Sequence, residues 1–158
     1  MHPTSPHRSP DPAIAARQSW MAVLARASLA DLTERLASSP ALPDHVVLRG
    51  PEEGLVMVRG RIGGGGGGFN LGEMTVTRCT VRTRGGQVGH ATIAGRNGAC
   101  ALLAARIDAA LQDAGFHDIL LAAVIAPLAL RQEAARTQQA ARAAATKVDF
   151  FTLQTMRA

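Results

Sequence analysis

The stretch MTVTRCTVRTRGGQVGHATIA, residues 74–94, decides the fold that this sequence predicts. Residues 74–84 and 87–94 are rich in β-branched side chains, and a tight turn, Arg84-Gly85-Gly86, lies between them. Two such runs separated by a short glycine-containing turn are typical of a β-hairpin. We therefore expect two adjacent antiparallel strands here.

Two more strands are predicted upstream of this hairpin. Residues 45–49 and 55–62 are strand-like, and the turn residues Gly50-Pro51-Glu52-Glu53-Gly54 separate them. In the strand 55–62, Val56 and Val58 point to one face and Arg59 and Arg61 to the other. Four consecutive strands with short connections predict an antiparallel meander.

Six consecutive glycines, residues 63–68, connect the second and third predicted strands. Backbone N–H groups without side chains could cradle a phosphate. The run lacks the Gly-Lys-Ser/Thr ending of a P-loop, however, and a strand rather than a helix follows it. We therefore interpret it as a flexible hairpin loop that could become ordered against a ligand or partner.

Helices are predicted on both sides of these strands. Trp20, Val23 and Leu24 share a face of a helix that begins near Ala13, and Ser28 opens a second helix as the first residue of a capping box.

Two longer helices are predicted downstream. Asn97 is a suitable cap for a helix that runs to Ala114, with Gly115 as its stop, and Pro127 is placed to begin a last helix that ends near Thr146.

The chain has the length and composition of one folded domain. It has 158 residues, of which 47% are hydrophobic and 18% charged. Four prolines within residues 1–12 predict a flexible arm, and residues 13–158 form the domain. The predicted fold class is α+β: a small antiparallel sheet of about four strands packed with N-terminal, central and C-terminal helices.

Composition also argues against several functions. Four Phe and one Trp are too few for the stacking platforms of single-stranded nucleic-acid binders. The longest apolar run, residues 119–126, falls far short of the roughly 20 residues that cross a membrane. We expect a cytoplasmic protein that binds neither nucleic acid nor membrane, with Cys79 and Cys100 as free thiols.

The net charge of +5 is concentrated in the middle of the chain. Residues 49–96 carry most of the excess arginine, which would attract a phosphate-rich ligand or an acidic partner. The candidate residues for phosphate or partner binding are Arg59, Arg61, Glu73, Arg78, Arg82 and His90. Whether the arginines of the two strands form one cluster or only a solvated face depends on the strand register.

We expect no catalytic residue, metal site or cofactor in this chain. His45, His90 and His117 are isolated from one another, and no spacing suggests a Ser/His/Asp nucleophile. His90 shares a strand face with Val88 and Thr92, which favours a half-buried structural histidine over a general base.

Several motifs resemble those of the PhnG family, the G subunit of the bacterial carbon–phosphorus lyase system. They are RQSWM at 17–21, FNLGEMTVTRC at 69–79, Gly95-Arg96, IAPL at 125–128 and VDFFT at 148–152. These motifs have the order and spacing of the family and cover nearly the whole chain.

The resemblance implies an accessory subunit of a transferase complex, which we expect to be inactive alone. The G subunit assembles with H, I and J subunits in a symmetric core, and the ATPase-like L subunit associates functionally. The system joins methylphosphonate to the ribose C1 of ATP and releases adenine, forming alpha-D-ribose 1-methylphosphonate 5-triphosphate. No catalytic residue is carried over to this chain.

Two other functions remain open from the residues. One is a stand-alone enzyme that binds phosphate esters through the glycine run and the arginines. The other is a nucleic-acid-binding module, which the missing aromatics disfavour.

The tail carries two adjacent phenylalanines, Phe150 and Phe151. In an extended segment they point to opposite sides, so either one ring serves as an interface anchor or both close the core.

Overall fold

The computed structural model describes residues 11–61 and 66–146. The helices are α1 (Pro12–Leu24), α2 (Leu29–Leu36), α3 (Gly98–Leu111), α4 (Ala114–Leu120) and α5 (Ala126–Ala145), and the strands are β1 (His45–Arg61), β2 (Gly68–Thr83) and β3 (Val88–Ala94). The α+β class is confirmed. Most of the predicted N-terminal arm and the tail with Phe150 and Phe151 lie outside the described residues.

The sheet is antiparallel with the order β1-β2-β3, so the prediction of about four strands is wrong by one. The predicted turn at residues 50–54 lies inside the single 17-residue strand β1. Gly50 has a φ of +72°, and the register with β2 shifts on both sides of Arg49. The turn residues therefore form a bulge, and the chain continues in the same direction instead of reversing.

The connection between β1 and β2 is a hairpin, as predicted for the glycine run. Arg61 pairs with Gly68, so β2 begins six residues before the predicted start at Met74. Residues 62–65 lie outside the described residues. Only Val76–Arg82 of β2 pairs with β3 as well. The far half of the β1–β2 hairpin is therefore a two-stranded ribbon beyond the three-stranded part of the sheet.

Helix α3 lies between the sheet and the other helices, and nine of its 14 residues are buried. Asn97 caps it as predicted, because its side-chain oxygen accepts a hydrogen bond from the Cys100 N–H at 3.0 Å. Small side chains on both elements let the sheet lie close to α3. A Cβ on Gly89 of β3 would collide with the Ala105 carbonyl oxygen and lie 2.5 Å from the Ala109 nitrogen. The alanines of α3 therefore serve close helix–sheet packing.

The carboxylate of Asp108 joins three elements inside this core. It is fully buried in α3 and accepts hydrogen bonds from Arg17 Nη2 at 2.8 Å and from Trp20 Nε1 at 2.9 Å, both on α1. The backbone N–H of His90 on β3 donates to the same carboxylate at 2.9 Å. Arg17 and Trp20 of the RQSWM motif therefore hold α1 and β3 against α3.

One of the predicted helix boundaries is wrong. Helix α3 ends at Leu111 and not at Ala114, because Asp113 adopts an extended conformation and caps α4 by accepting from the Gly115 N–H at 2.8 Å. Helix α5 runs from Ala126 to Ala145 with Pro127 in its first turn, so the predicted start at Pro127 and end near Thr146 are confirmed; a five-residue π-helical segment, Leu121–Ile125, joins it to α4. The wider π turn accommodates the proline, which has no N–H to donate.

The continuous helical stretch Ala114–Ala145 has the length and hydropathy of a membrane-crossing helix, a test that core helices of soluble proteins also pass. Its buried side chains Leu120, Val124 and Leu128 recur every four residues. They belong to the core cluster that includes α3. These buried residues therefore form a stripe that packs on the rest of the domain, whereas Ile119 and Leu130 of the same stretch are exposed.

Substitution of Asp108 by asparagine should destabilise the domain strongly. The amide would place a donor among the Arg17, Trp20 and His90 donors, and the charge that pairs with Arg17 would be lost. We expect a loss of about 3 kcal/mol in the free energy of unfolding, measured by chemical denaturation. The matched control is Asp118→Asn, since Asp118 is exposed. Equal stability of the two variants would contradict the central role of Asp108.

Candidate interaction surfaces

The strand register decides whether the arginines of the two predicted strands form one cluster, a question that the sequence left open. Arg78 pairs with Glu52 and Arg82 with Val46, whereas Arg59 and Arg61 pair with Asn70 and Gly68 near the hairpin end. Arg59 is seven positions after Glu52 along the strand, a distance of roughly 23 Å. The four arginines therefore do not form one cluster, and they belong to three different surfaces.

The first surface is a shallow depression of 130 Å³ on the sheet, lined by Arg78, His90 and Glu52 among others. Glu52 is paired with Arg49 at 2.7 Å, so the carboxylate there is already neutralised. The exposed His90 ring makes a 3.1 Å hydrogen bond through Nδ1 to the Thr80 hydroxyl. His90 is thus more exposed than the half-buried residue that the sequence predicted.

The second surface is a groove of 760 Å³ at the end of the sheet where β1 begins and β2 ends. We call it the arginine groove; Asp44, His45, Arg82, Thr83, Arg84 and Arg106 line it. Arg84 is within 3.5 Å of Asp44, whereas Arg82 and Arg106 have no carboxylate within salt-bridge distance among the described residues. The groove therefore carries uncompensated positive charge.

His45 adds little charge to the arginine groove near neutral pH. Desolvation by burial, followed by the positive charge of Arg106, lowers the pKa of His45, while Asp44 raises it. The net effect is a pKa below the usual value for histidine, so the imidazole is neutral unless an anion approaches.

The third surface is the two-stranded ribbon, which we call the hairpin arm: residues 54–61 of β1 and 68–75 of β2. Large apolar side chains are exposed on it, namely Leu55, Met57, Phe69, Leu71 and Met74. Arg59, Arg61 and Glu73 also lie on the arm and are exposed. It combines exposed apolar area with a small excess of positive charge.

Sequence reasoning missed three residues that matter for these surfaces. Asp108 lies within the apolar stripe of α3, and Arg106 is two residues before it. Arg106 lies outside the basic segment 49–96, and His45 was interpreted as isolated from the other histidines. A signal for Asp108 was available, since a carboxylate at a buried helix position requires donors from elsewhere. No sequence signal placed Arg106 beside Arg82.

Among the described residues, side chains that could bind a metal ion or act as a nucleophile do not cluster. No group of three His, Cys, Asp or Glu side chains that could hold a metal ion occurs in the described ranges 11–61 and 66–146. Cys79 and Cys100 are free and buried, and burial raises the pKa of both thiols. Neither is an activated nucleophile.

The family model described as phosphonate metabolism protein PhnG matches residues 15–156. This chain belongs to the PhnG family. A curated relative, the alpha-D-ribose 1-methylphosphonate 5-triphosphate synthase subunit PhnG of Rhizobium meliloti (strain 1021), is 46% identical over 145 residues, which is 92% of each chain. The resemblance carried by the sequence motifs is thereby confirmed. In this PhnG-family chain, the RQSWM motif supplies Arg17 and Trp20 to Asp108, so it serves the fold.

Replacement of His90 by glutamine should have little effect on stability. The backbone N–H of His90 donates to Asp108, and the substitution retains it; among the described residues the ring hydrogen-bonds to the surface hydroxyl of Thr80 alone. We expect a change below about 0.5 kcal/mol in the free energy of unfolding, measured by chemical denaturation. Thr80→Val removes the same hydrogen bond from the other side and should behave alike. A loss above 1 kcal/mol in His90→Gln alone would show a further role for the ring.

Proposed function

We propose that this chain is the G-type subunit of a carbon–phosphorus lyase core complex. In that role it supports the formation of alpha-D-ribose 1-methylphosphonate 5-triphosphate from ATP and methylphosphonate, with release of adenine. The observation that carries the proposal is the 46% identity, over 92% of both chains, to a subunit of the synthase of that product. Its partners are the H, I and J subunits, with the L subunit associating functionally, and it works in the cytoplasm without a cofactor of its own.

The hairpin arm supports a role in assembly. An isolated two-stranded ribbon is at best marginally stable in water, because it lacks a third strand or a helix to cover a face. In the arm both faces carry apolar side chains: Leu55 and Met57 on one, Val56 and its cross-strand partner Met74 on the other. A long exposed apolar ribbon also invites unwanted association. A partner that covers the arm resolves both problems.

The chemistry of the arm specifies the kind of partner. Leu71 lies over Gly60, where a Cβ would come within 2.6 Å of its Cδ1, so the end of the arm has a compact apolar patch. Arg59 and Arg61 precede and follow Gly60 on β1, so their side chains point to the opposite face of the arm, where Arg59 lies near Gly68. The complementary surface of another subunit is apolar where it meets Leu71 and carries carboxylates where it meets the arginine face.

The stand-alone phosphate-ester enzyme is disfavoured by the length of β2. Gly68, the last residue of the glycine run, begins this 16-residue strand, and Arg82 lies near its other end. They are separated by roughly 45 Å of extended strand. The glycine run and Arg82 therefore cannot enclose one small phosphate ester.

The purified chain should not release adenine from ATP in the presence of methylphosphonate. No cluster of nucleophile, base and metal ligands is present in the described part of the chain to activate either substrate. Adenine is measured by chromatography, with the chain alone and with the H, I and L subunits added. Adenine release by the chain alone, free of the other subunits, would overturn the proposed accessory role.

Charged substitutions on the hairpin arm should prevent assembly without unfolding the domain. Leu55 and Leu71 are 60% and 61% exposed, so aspartate at either position costs the free domain little. Burial against a partner would leave that carboxylate desolvated, and we expect co-purification with the partner subunits to fall at least tenfold, about 1.4 kcal/mol or more. The melting temperature of each variant, compared with that of the unmodified chain, shows whether the domain is still folded.

The matched control for the arm variants is Ile14→Asp on α1, at a position that is 53% exposed but far from the arm in the fold. It should co-purify like the unmodified chain. Normal co-purification of both arm variants would refute the assignment of the arm as the contact surface.

A further inference from the structure

We propose that the arginine groove binds the polyphosphate chain of a nucleotide or of its ribose triphosphate product. The choice of a triphosphate rests on the proposed function, whereas the presence of an anion site rests on the groove itself.

The groove brings together cationic side chains from separate elements. Arg82 is on β2, Arg84 follows it in the turn to β3, and Arg106 is on α3. Asp44 is the acidic residue among those that line the groove, and it already contacts Arg84. Two guanidinium groups thus remain to be neutralised, and guanidinium groups bind phosphate oxygens through paired, charge-assisted hydrogen bonds.

Arg106 is held in place without an ion pair. It is half-buried, and its Nε atom is shielded from solvent with no hydrogen-bond partner among the described residues. Buried polar atoms without partners are rare and require an explanation. A guanidinium group positioned by packing loses little conformational entropy when it binds an anion, which favours a binding site over a solvated surface charge.

The shape of the groove suits a small polyanion. Its volume of 760 Å³ is in the range of small-molecule sites. Gly86, in the turn that lines it, has a φ of +92° and open space where a Cβ would be, so a ligand can approach the backbone there. The low pKa of His45 also fits, because the neutral ring can take up a proton as the phosphates bind.

The test is a calorimetric titration of the full chain with inorganic triphosphate at low ionic strength, with inorganic phosphate as the smaller probe. Arg82→Gln and Arg106→Gln should each weaken triphosphate binding at least tenfold, the loss expected for one charge-assisted contact. The matched control is Arg142→Gln, an exposed arginine near the end of α5, which should bind like the unmodified chain. Melting temperatures establish that each variant is folded, and Arg82, being exposed, is the safer of the two substitutions.

Three outcomes would overturn the proposal. They are no binding of triphosphate by the unmodified chain, equal weakening in all three variants, and unchanged triphosphate binding by groove variants that no longer co-purify with the partner subunits. The last outcome would assign the groove to an acidic segment of a partner. Triphosphate binding that depends on Arg82 and Arg106, in a chain that does not co-purify with those subunits, would support the groove and refute the proposed function.

Discussion

The structure depends on one buried carboxylate. Removing the charge of Asp108 from water costs several kcal/mol, and that cost is offset only because donors from α1 and β3 meet at its two oxygens. Arg17 contributes two of these hydrogen bonds, through Nη2 at 2.8 Å and Nε at 3.3 Å, and a third to the Val88 carbonyl of β3. Neither α1 nor β3 can slide along α3 without leaving a charge or a donor unpaired, so this interaction fixes how the layers align.

The three-stranded part of the sheet, which we call the base, determines the direction of the hairpin arm. Strand β2 belongs to both parts, since Val76–Arg82 pairs with β3 while the residues before it pair with β1 alone. The base end is held further by Thr77, whose buried hydroxyl donates to the Gly95 carbonyl at 2.7 Å and accepts from the Asn97 N–H at 3.0 Å. The direction of the arm is therefore set by the sheet, although no helix supports its far half in the described residues.

Local signals in the sequence predicted much of the fold. The capping box at Ser28, the Asn97 cap and the hairpin at Gly85-Gly86 were correct, because each depends on residues close together in the chain. Gly50-Pro51 was wrong as a chain reversal because pairing with β2 decides between a turn and a bulge, and that pairing is distant in sequence. The helix start at Pro127 was correct for the same local reason as the caps, whereas the π-helical segment that joins this helix to α4 was not predicted. The proposed groove depends on Arg106 and Arg82 lining the same depression, an arrangement of separate elements that no pattern within either element encodes.

The hairpin arm and the arginine groove lie at opposite ends of β2, and this separation constrains how such a subunit can work. A partner that covers Leu55 and Leu71 is tens of ångströms from a phosphate chain beside Arg82, given the length of a 16-residue strand. The side chains that position methylphosphonate for attack on the ribose of a nucleotide held in the groove must therefore come from a chain that also contacts the three-stranded part of the sheet. Either one large partner extends along the whole subunit, or different copies contact its two ends. A cyclic assembly in which the two kinds of subunit alternate would supply the second arrangement, because each subunit would then lie between two copies of its neighbour.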